Sequence, residues 1–299
     1  MINKLVLGTV QLGLNYGINN SSGKPSKEKA FEILHAAYDN GLRILDTAEA
    51  YGDSQDVIGE FQKKNPNKEF KIITKLSAKH TLKNNELIKH VSDNCKVLNT
   101  SKLHGYMFHN YQSFKENTAF YNEVLQAKGQ GLIKYVGISL YTNDEIEDIV
   151  ANYSDFDFIQ IPFNLFDNES KRKKSIISAK QKNIEIHVRS VFLQGLFFKD
   201  CKKLPEKLVP LKKYMETLAK IKQNSQMSTE ALALQYVLQK EYIDYVLIGV
   251  ENTEQLMNNI TICENKQNIP HAVIDAIDVT EVNLLNPSNW NYNESSCSN

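Results

Sequence analysis

The sequence predicts an α/β protein of the (β/α)8 TIM-barrel class, folded as a single domain over residues 1–299. Three observations carry that expectation. Short β-rich runs recur eight times at wide, fairly even intervals. Segments with helical spacing fill the intervals. No Pro/Gly/Ser-rich linker and no shift in composition divides the chain. Strand–helix alternation repeated eight times predicts parallel βαβ units, and eight units in roughly this length match a closed barrel.

The eight runs are residues 4–10, 43–48, 71–76, 103–109, 134–139, 157–162, 185–190 and 245–250. Each is mostly continuously apolar rather than alternating, as in parallel strands covered on both faces. Residues 27–40 place Ala30, Ile33, Leu34 and Ala37 on one helical face, and Gly41 stops the helix. Residues 143–151 predict a helix with Asn143 as its cap and an acidic first turn. Residues 227–240 predict another, capped by Ser228 or Thr229.

A doubly wound open sheet is the competing architecture, and it normally carries a dinucleotide fingerprint after its first strand. Gly8, Gly13 and Gly17 do not have the G-x-G-x-x-G spacing. Residues 17–26 come nearest to a phosphate loop. Their interval is one residue too long, and Pro25 follows Lys24 where Ser or Thr belongs. Both stretches read as turns. The tail, residues 286–299, is polar and aperiodic and holds the only tryptophan, Trp290, with Tyr292. It is either a frayed terminus or a segment folded over the barrel mouth.

Lysine plus arginine equals aspartate plus glutamate at 35 each. That balance argues against nucleic-acid and membrane-surface partners, which select a basic excess. No apolar run reaches bilayer length, and the N-terminus lacks the pattern of a signal peptide. Cys95, Cys201, Cys263 and Cys297 form no CxxC pair and predict reduced thiols in a cytoplasm. No metal is expected. HExxH and calcium-loop motifs are absent, and His104 and His109, five apart on one strand, point to opposite faces. The basic run Lys171-Arg172-Lys173-Lys174 reads as the start of a solvated helix.

A barrel enzyme carries its chemistry at the C-terminal ends of its strands. There the second strand presents Asp46, with Tyr51 in the following loop. The third ends in Lys75, the fourth in His109, the fifth in Ser139, the sixth just after Gln160 and the seventh in Arg189-Ser190. Asp46, Tyr51, Lys75 and His109 together suit carbonyl chemistry. A free phenol, with a pKa of about 10, is a poor acid at neutral pH, and a neighbouring ammonium lowers that value. Aspartate orients the lysine, and histidine donates toward the same point. A carbonyl oxygen held between tyrosine and histidine is polarised and then protonated. No side chain supplies the hydride.

With these residues in order, the sequence resembles the aldo-keto reductases. The matching elements are Asp46-Thr47-Ala48-x-x-Tyr51-Gly52, Ile73-Thr74-Lys75, Tyr106-Met107-Phe108-His109, Gly137-Ile138-Ser139, Gln160 and the stretch from Gly249 to Asn259. They run from about Lys4 to about Ile260. The resemblance implies an NAD(P)H-dependent oxidoreductase acting on an aldehyde, ketone or sugar, with Tyr51 as general acid/base. It implies that Ser139 and Gln160 hold the carboxamide and that Thr9 and Val10 lie near the nicotinamide. Ser190, Gln194 and Gly195 would contact the pyrophosphate, and Gly249, Asn252, Gln255 and Asn259 would surround the adenosine.

Three residues depart from the family pattern. Leu140 replaces an asparagine after the serine. Arg189 replaces an aromatic that stacks on the nicotinamide; either its planar guanidinium stacks instead, or it faces away and pairs with a carboxylate. Glu251 stands where many relatives carry a basic residue, which tilts the expected cofactor from NADP toward NAD or dual use. In the loop 110–117, Tyr111, Gln112 and Lys115 suggest an oxygen-rich, sugar-like substrate. The alternatives are a cofactor-binding barrel serving as a regulatory or assembly subunit, and a lyase or aldolase with Lys75 as Schiff-base nucleophile. Asp46 beside the lysine disfavours the last, because it keeps the amine protonated. The oligomeric state is left open.

Overall fold

Eight strands close into a barrel in sequence order. The structure, a computed structural model, describes residues 1–290 except 21, 79–81 and 84. The strands are β1 (Leu5–Gly8), β2 (Ile44–Asp46), β3 (Lys71–Leu76), β4 (Leu103–Phe108), β5 (Ile133–Ser139), β6 (Phe158–Pro162), β7 (Glu185–Arg189) and β8 (Tyr245–Gly249). Each pairs in parallel with its sequence neighbours, and β1 closes the ring against β8. All eight expected runs contain a strand. The register sets Gly8 beside Asp46, Asp46 beside Ile73, and Ser139 beside Gln160, so the polar strand ends share one rim.

Two apolar layers hold the ring. The larger lies between strands and helices and includes Leu45, Ile72, Val136, Ile159 and Val246. The smaller fills the barrel itself with Val6, Ile44, Ile73, Met107, Phe158 and Leu247. Phe158 dominates it. A Cβ added at Gly137 would lie 2.4 Å from its ring, and one at Gly105 would lie 3.1 Å away. The two glycines make room for one aromatic plug, and a methyl group at Gly137 would overpack the centre. At the N-terminal rim His104 meets Tyr135 edge-on with centroids 5.1 Å apart, and His187 stacks on Phe158 at 4.3 Å.

The expected helices are present with adjusted caps. Helix Lys27–Asp39 is capped by Ser26, and helix Thr229–Leu238 by Ser228. Helix Asn143–Asn152 is capped by Thr142, not Asn143: Thr142 and Glu145 form a reciprocal capping box, which satisfies two orphan groups at once. The basic run lies in helix Glu169–Gln181, but Arg172 is not solvated. It is buried and forks onto Asp167 at 2.6 and 2.7 Å. Of the tail, Trp290 is buried and its indole donates to Leu284 O at 2.8 Å. Residues 291–299, with Tyr292 and Cys297, lie outside the described residues. No helix among the described residues is long and apolar enough to cross a membrane, and no metal-binding cluster is found among them.

Candidate active site

The C-terminal rim concentrates charge that the barrel has removed from water. Asp46 is 2% exposed and Lys75 1%. Lys75 Nζ donates to Asp46 Oδ1 and, at 3.0 Å, to Thr47 O. Gln160 Nε2 donates to Asp46 Oδ2 at 2.8 Å, so Asp46 is clamped from two strands. Lys75 Nζ lies 5.1 Å from the centre of the Tyr51 ring. The rings of Tyr51 and His109 meet edge to face, 5.8 Å apart at 82°. The four residues expected to converge do so.

Burial sets their protonation. It pushes the Tyr51 phenol up, and the Asp46 charge adds to that, while Arg189 opposes it. The expected lowering by Lys75 is not what the structure shows. Asp46 compensates the ammonium charge, and desolvation outweighs what remains. Lys75 itself is lowered by burial, with Asp46 opposing. Burial, then Lys75, brings His109 down to about 4, so its imidazole is neutral at pH 7 and offers one N–H. A phenol held protonated beside a neutral imidazole is a loaded proton donor.

The loop carrying Tyr51 is fixed on both sides. Helix Val10–Gly13 presses on it: a Cβ at Gly13 would lie 1.8 Å from Tyr51 O, and one at Gly52, where φ is +56°, would lie 2.3 Å from Gly13 O. Only glycines permit that approach. Thr9 Oγ1 donates to Asp46 O at 3.0 Å, and Ser54 Oγ donates to Thr9 O at 3.0 Å. On the other flank, the Glu49 side chain, 5% exposed, accepts from Ser77 N (2.8 Å), Asn94 Nδ2 (2.9 Å) and Tyr106 Oη (3.0 Å). His90 Nε2 lies 2.8 Å from the same carboxylate.

One cavity of about 620 Å³ opens over these groups. Asp46, Tyr51, Lys75 and His109 line it, with Thr9, Val10, Ser139 and Gln160. Arg189, Ser190, Gln194 and Gly195 line it from β7, and Gly249, Gln255 and Asn259 from β8. Asn252 does not line it; its side chain caps helix Thr253–Glu264 by accepting from Gln255 N at 2.9 Å. Tyr111, Gln112 and Lys115 do not line it either. Tyr111 and Lys115 bond Asp148, and Gln112 bonds Glu116. The hint they gave of a sugar-like substrate therefore falls away. Leu140 is buried outside the cavity.

Several lining residues were not anticipated: Gln11, Tyr16, Tyr141, Phe192, Phe198 and Glu230. Ser288 of the tail also reaches the cavity. Tyr16 belongs to the loop after β1, which crosses to the loop after β7. Gln194 Nε2 donates to Tyr16 Oη at 2.6 Å, and Ile18 N donates to Gln194 O at 3.1 Å. Burial, then Tyr51, pushes the Tyr16 phenol up to about 12. Ser190, Leu193 and Gln194 all have positive φ, at 60°, 46° and 51°. Left-handed non-glycine residues cluster where a site over-determines its backbone, a feature of this loop that the sequence does not display.

The aldo/keto reductase family model matches residues 4–281. Aldo-keto reductase YhdN of Bacillus subtilis is 27% identical over 161 residues, spanning 49% of this chain and 47% of YhdN, about half its length. The uncharacterized oxidoreductase YqkF of the same organism is 25% identical over 291 residues, spanning 86% of this chain and 90% of YqkF. The aldo-keto reductase AKR11C1 from Bacillus halodurans superposes with a TM-score of 0.69 at 19% identity, covering 92% of each chain. The deep-sea metagenome enzyme MGS-M4 does so with a TM-score of 0.69 at 17% identity, covering 92% of this chain and 90% of its own. At these identities the structural likeness establishes the shared barrel. The family match, spanning nearly the whole chain, establishes the rest: this protein belongs to the aldo/keto reductase family, whose members carry out oxidoreduction of carbonyl compounds.

Proposed function

We propose that the protein is an NAD(P)H-dependent oxidoreductase that interconverts a carbonyl and an alcohol, with Tyr51 as general acid/base. The buried Asp46–Lys75 pair, set against Tyr51 and a neutral His109 on one cavity wall, carries this reading. His109 N–H orients and polarises the carbonyl oxygen. Tyr51 passes its proton to that oxygen as negative charge develops, and Lys75 compensates the phenolate left behind. Asp46, clamped by Gln160, holds the lysine in place. When bound, the nicotinamide supplies the hydride.

The cavity suits such a cofactor. It runs from Tyr51 to residues of β8, and Gln11 Oε1 in its lining is buried with no partner among the described residues, an acceptor for a ligand donor. Thr9, Val10 and Ser139 would flank the nicotinamide, Ser190, Gln194 and Gly195 the pyrophosphate, and Gly249, Gln255 and Asn259 the adenosine. After β8 the lining carries Glu251 with Gln255, Asn258 and Asn259, and the lining's only lysine and arginine among the described residues are Lys75 and Arg189. A carboxylate there accepts a ribose hydroxyl and repels a 2′-phosphate. NADH is therefore the favoured cofactor. A cytoplasmic setting fits the free thiols of Cys95, Cys201 and Cys263.

Tyr51→Phe tests the central claim. It is expected to lower kcat on an aldehyde panel by about 10²–10⁴-fold while cofactor affinity holds nearly constant. Retained turnover would refute the role of Tyr51. If bound cofactor is never oxidised by any carbonyl in a single-turnover assay, the chain is a binding subunit instead. In a fluorescence titration NADH is expected to bind more tightly than NADPH; a tenfold preference for NADPH would sink the cofactor reading.

A further inference from the structure

The turn that carries Tyr51 is bracketed by two side chains tied to one residue behind the site. Glu49 precedes Tyr51 and Gln55 follows it. Both reach Asn94, which is 5% exposed on helix Leu87–Val97. Asn94 Nδ2 donates to Glu49 Oε1 at 2.9 Å, and Gln55 Nε2 donates to Asn94 Oδ1 at 2.9 Å. One amide therefore gives a hydrogen bond to one flank of the turn and takes one from the other. Its orientation is fixed. Nδ2 also donates to His90 O at 3.1 Å, so an inverted amide would set its oxygen against a carboxylate and a carbonyl.

The same network touches the strands that supply the other rim groups. Gln55 Nε2 donates to Thr74 Oγ1 at 2.8 Å, and Thr74 is the neighbour of Lys75 on β3. Tyr106 Oη donates to Glu49 Oε1 at 3.0 Å from β4, the strand that leads into His109. Ser77 N, just past the end of β3, donates to Glu49 Oε2 at 2.8 Å. Glu49, Gln55, Thr74, Asn94 and Tyr106 all stand outside the cavity lining, so the network bonds to itself behind the rim. An apolar contact between helix and barrel tolerates small shifts. A satisfied polar network with one allowed polarity specifies a single arrangement.

We propose that Asn94 is a positioning residue: its side-chain amide staples Glu49 to Gln55 and thereby fixes Tyr51 relative to Lys75 and His109. This rests on the oxidoreductase reading of the cavity. Proton transfer needs the phenol within hydrogen-bond reach of the carbonyl oxygen. A displacement of about 1 Å, caused far from the chemistry, costs on the order of 10²-fold in rate. The staple acts through Tyr51 and touches neither substrate nor cofactor. Its loss therefore falls on kcat and spares cofactor binding.

Asn94→Asp, Glu49→Gln and the two combined test this, each protein checked by melting curve. Asn94→Asp keeps the shape and the acceptor for Gln55 but turns a second carboxylate onto Glu49. Adding Glu49→Gln lets the new amide donate to the new carboxylate, so the contact re-forms with its polarity reversed. In steady-state kinetics on one aldehyde, Asn94→Asp is expected to lower kcat by about tenfold to 10²-fold. The dissociation constant for NADH, read by fluorescence titration, is expected to stay within about twofold of wild type. The combined variant is expected to regain about threefold or more in kcat over Asn94→Asp alone. Asn94→Ala removes the staple without adding a charge and carries the same kcat expectation, should Asn94→Asp fail to fold. A wild-type kcat in both Asn94 variants overturns the proposal. So does a combined variant no better than Asn94→Asp, or a loss shared equally by kcat and cofactor affinity, either of which makes Asn94 a packing residue only.

Hydrogen exchange gives a readout that does not depend on turnover. The amides of Thr47, Glu49 and Tyr51 donate to Ile73 O, Lys75 O and Ala48 O. In Asn94→Ala the peptide over residues 47–56 is expected to exchange about tenfold faster than in wild type, while peptides from β6 and β7 keep their rates. Unchanged exchange over 47–56 overturns the proposal. If the wild type reduces no aldehyde in the panel, the oxidoreductase reading fails, and this arm still decides whether Asn94 holds the turn.

Discussion

The two rims of this barrel are built from similar residues and do different things. His109 follows the end of β4 at one rim, and His104 lies near its start at the other. Burial brings both imidazoles down to about 4. Charged groups lie near both: Lys75 and Arg189 above, Lys71 and Lys134 below. The difference is space. His104 and His187 are packed against Tyr135, Phe158 and Tyr245, whereas His109 faces a cavity together with a phenol and a buried ion pair. A depressed histidine pKa reports burial. Donors converging on a volume that a substrate can occupy report a site.

The sharpest break in the comparison comes from replacing each histidine by glutamine. His109→Gln is expected to lower kcat/KM by about 10²-fold, the scale of one lost oxyanion-type donor. His104→Gln is expected to change it less than about twofold. Steady-state kinetics on one aldehyde decide the matter, and equal losses would erase the distinction between the rims.

Stability should treat the rims alike. Each histidine has a folded-state pKa below its ordinary value of about 6.5, so below that pH the unfolded chain binds the extra proton more readily. The stabilisation is fully present above about pH 6.5 and is lost as pH falls toward 4. For His109 the shift corresponds to on the order of 3 kcal/mol between those limits. Denaturant unfolding at pH 7 and pH 4.5 should show a smaller acid-induced loss in either glutamine variant than in the wild type. A loss of the same size in all three proteins would mean that neither imidazole drives it.

The barrel and its four rim residues were legible because both follow from local rules. Buried parallel strands read as apolar runs, and strand ends project onto one rim. What escaped the sequence depends on partners distant along the chain. Arg172 sits in a run that looks solvated, and only its fork onto Asp167 and its reach to Tyr141 O bring it inside. Asn252 opens a helix, where an asparagine side chain serves as a cap as readily as it touches a ligand, and here it caps. Tyr16 lies in a turn whose place over the cavity is set by Gln194, 178 residues away. Tyr51 lines the cavity beside Lys75 and His109 as expected, but the direction of its titration is the opposite of the expected one. Proximity to lysine was visible in the motif; the burial that outweighs it was not.

The backbone contact between Gly13 and Gly52 has a consequence for redesign. Loops on a barrel rim are commonly treated as exchangeable parts hung on a constant frame. Here the segment after β1 and the turn bearing Tyr51 touch main chain to main chain, with no room for a single methyl group between them. They form one cassette. A graft that imports either loop from a relative without the other would displace the acid it was meant to serve.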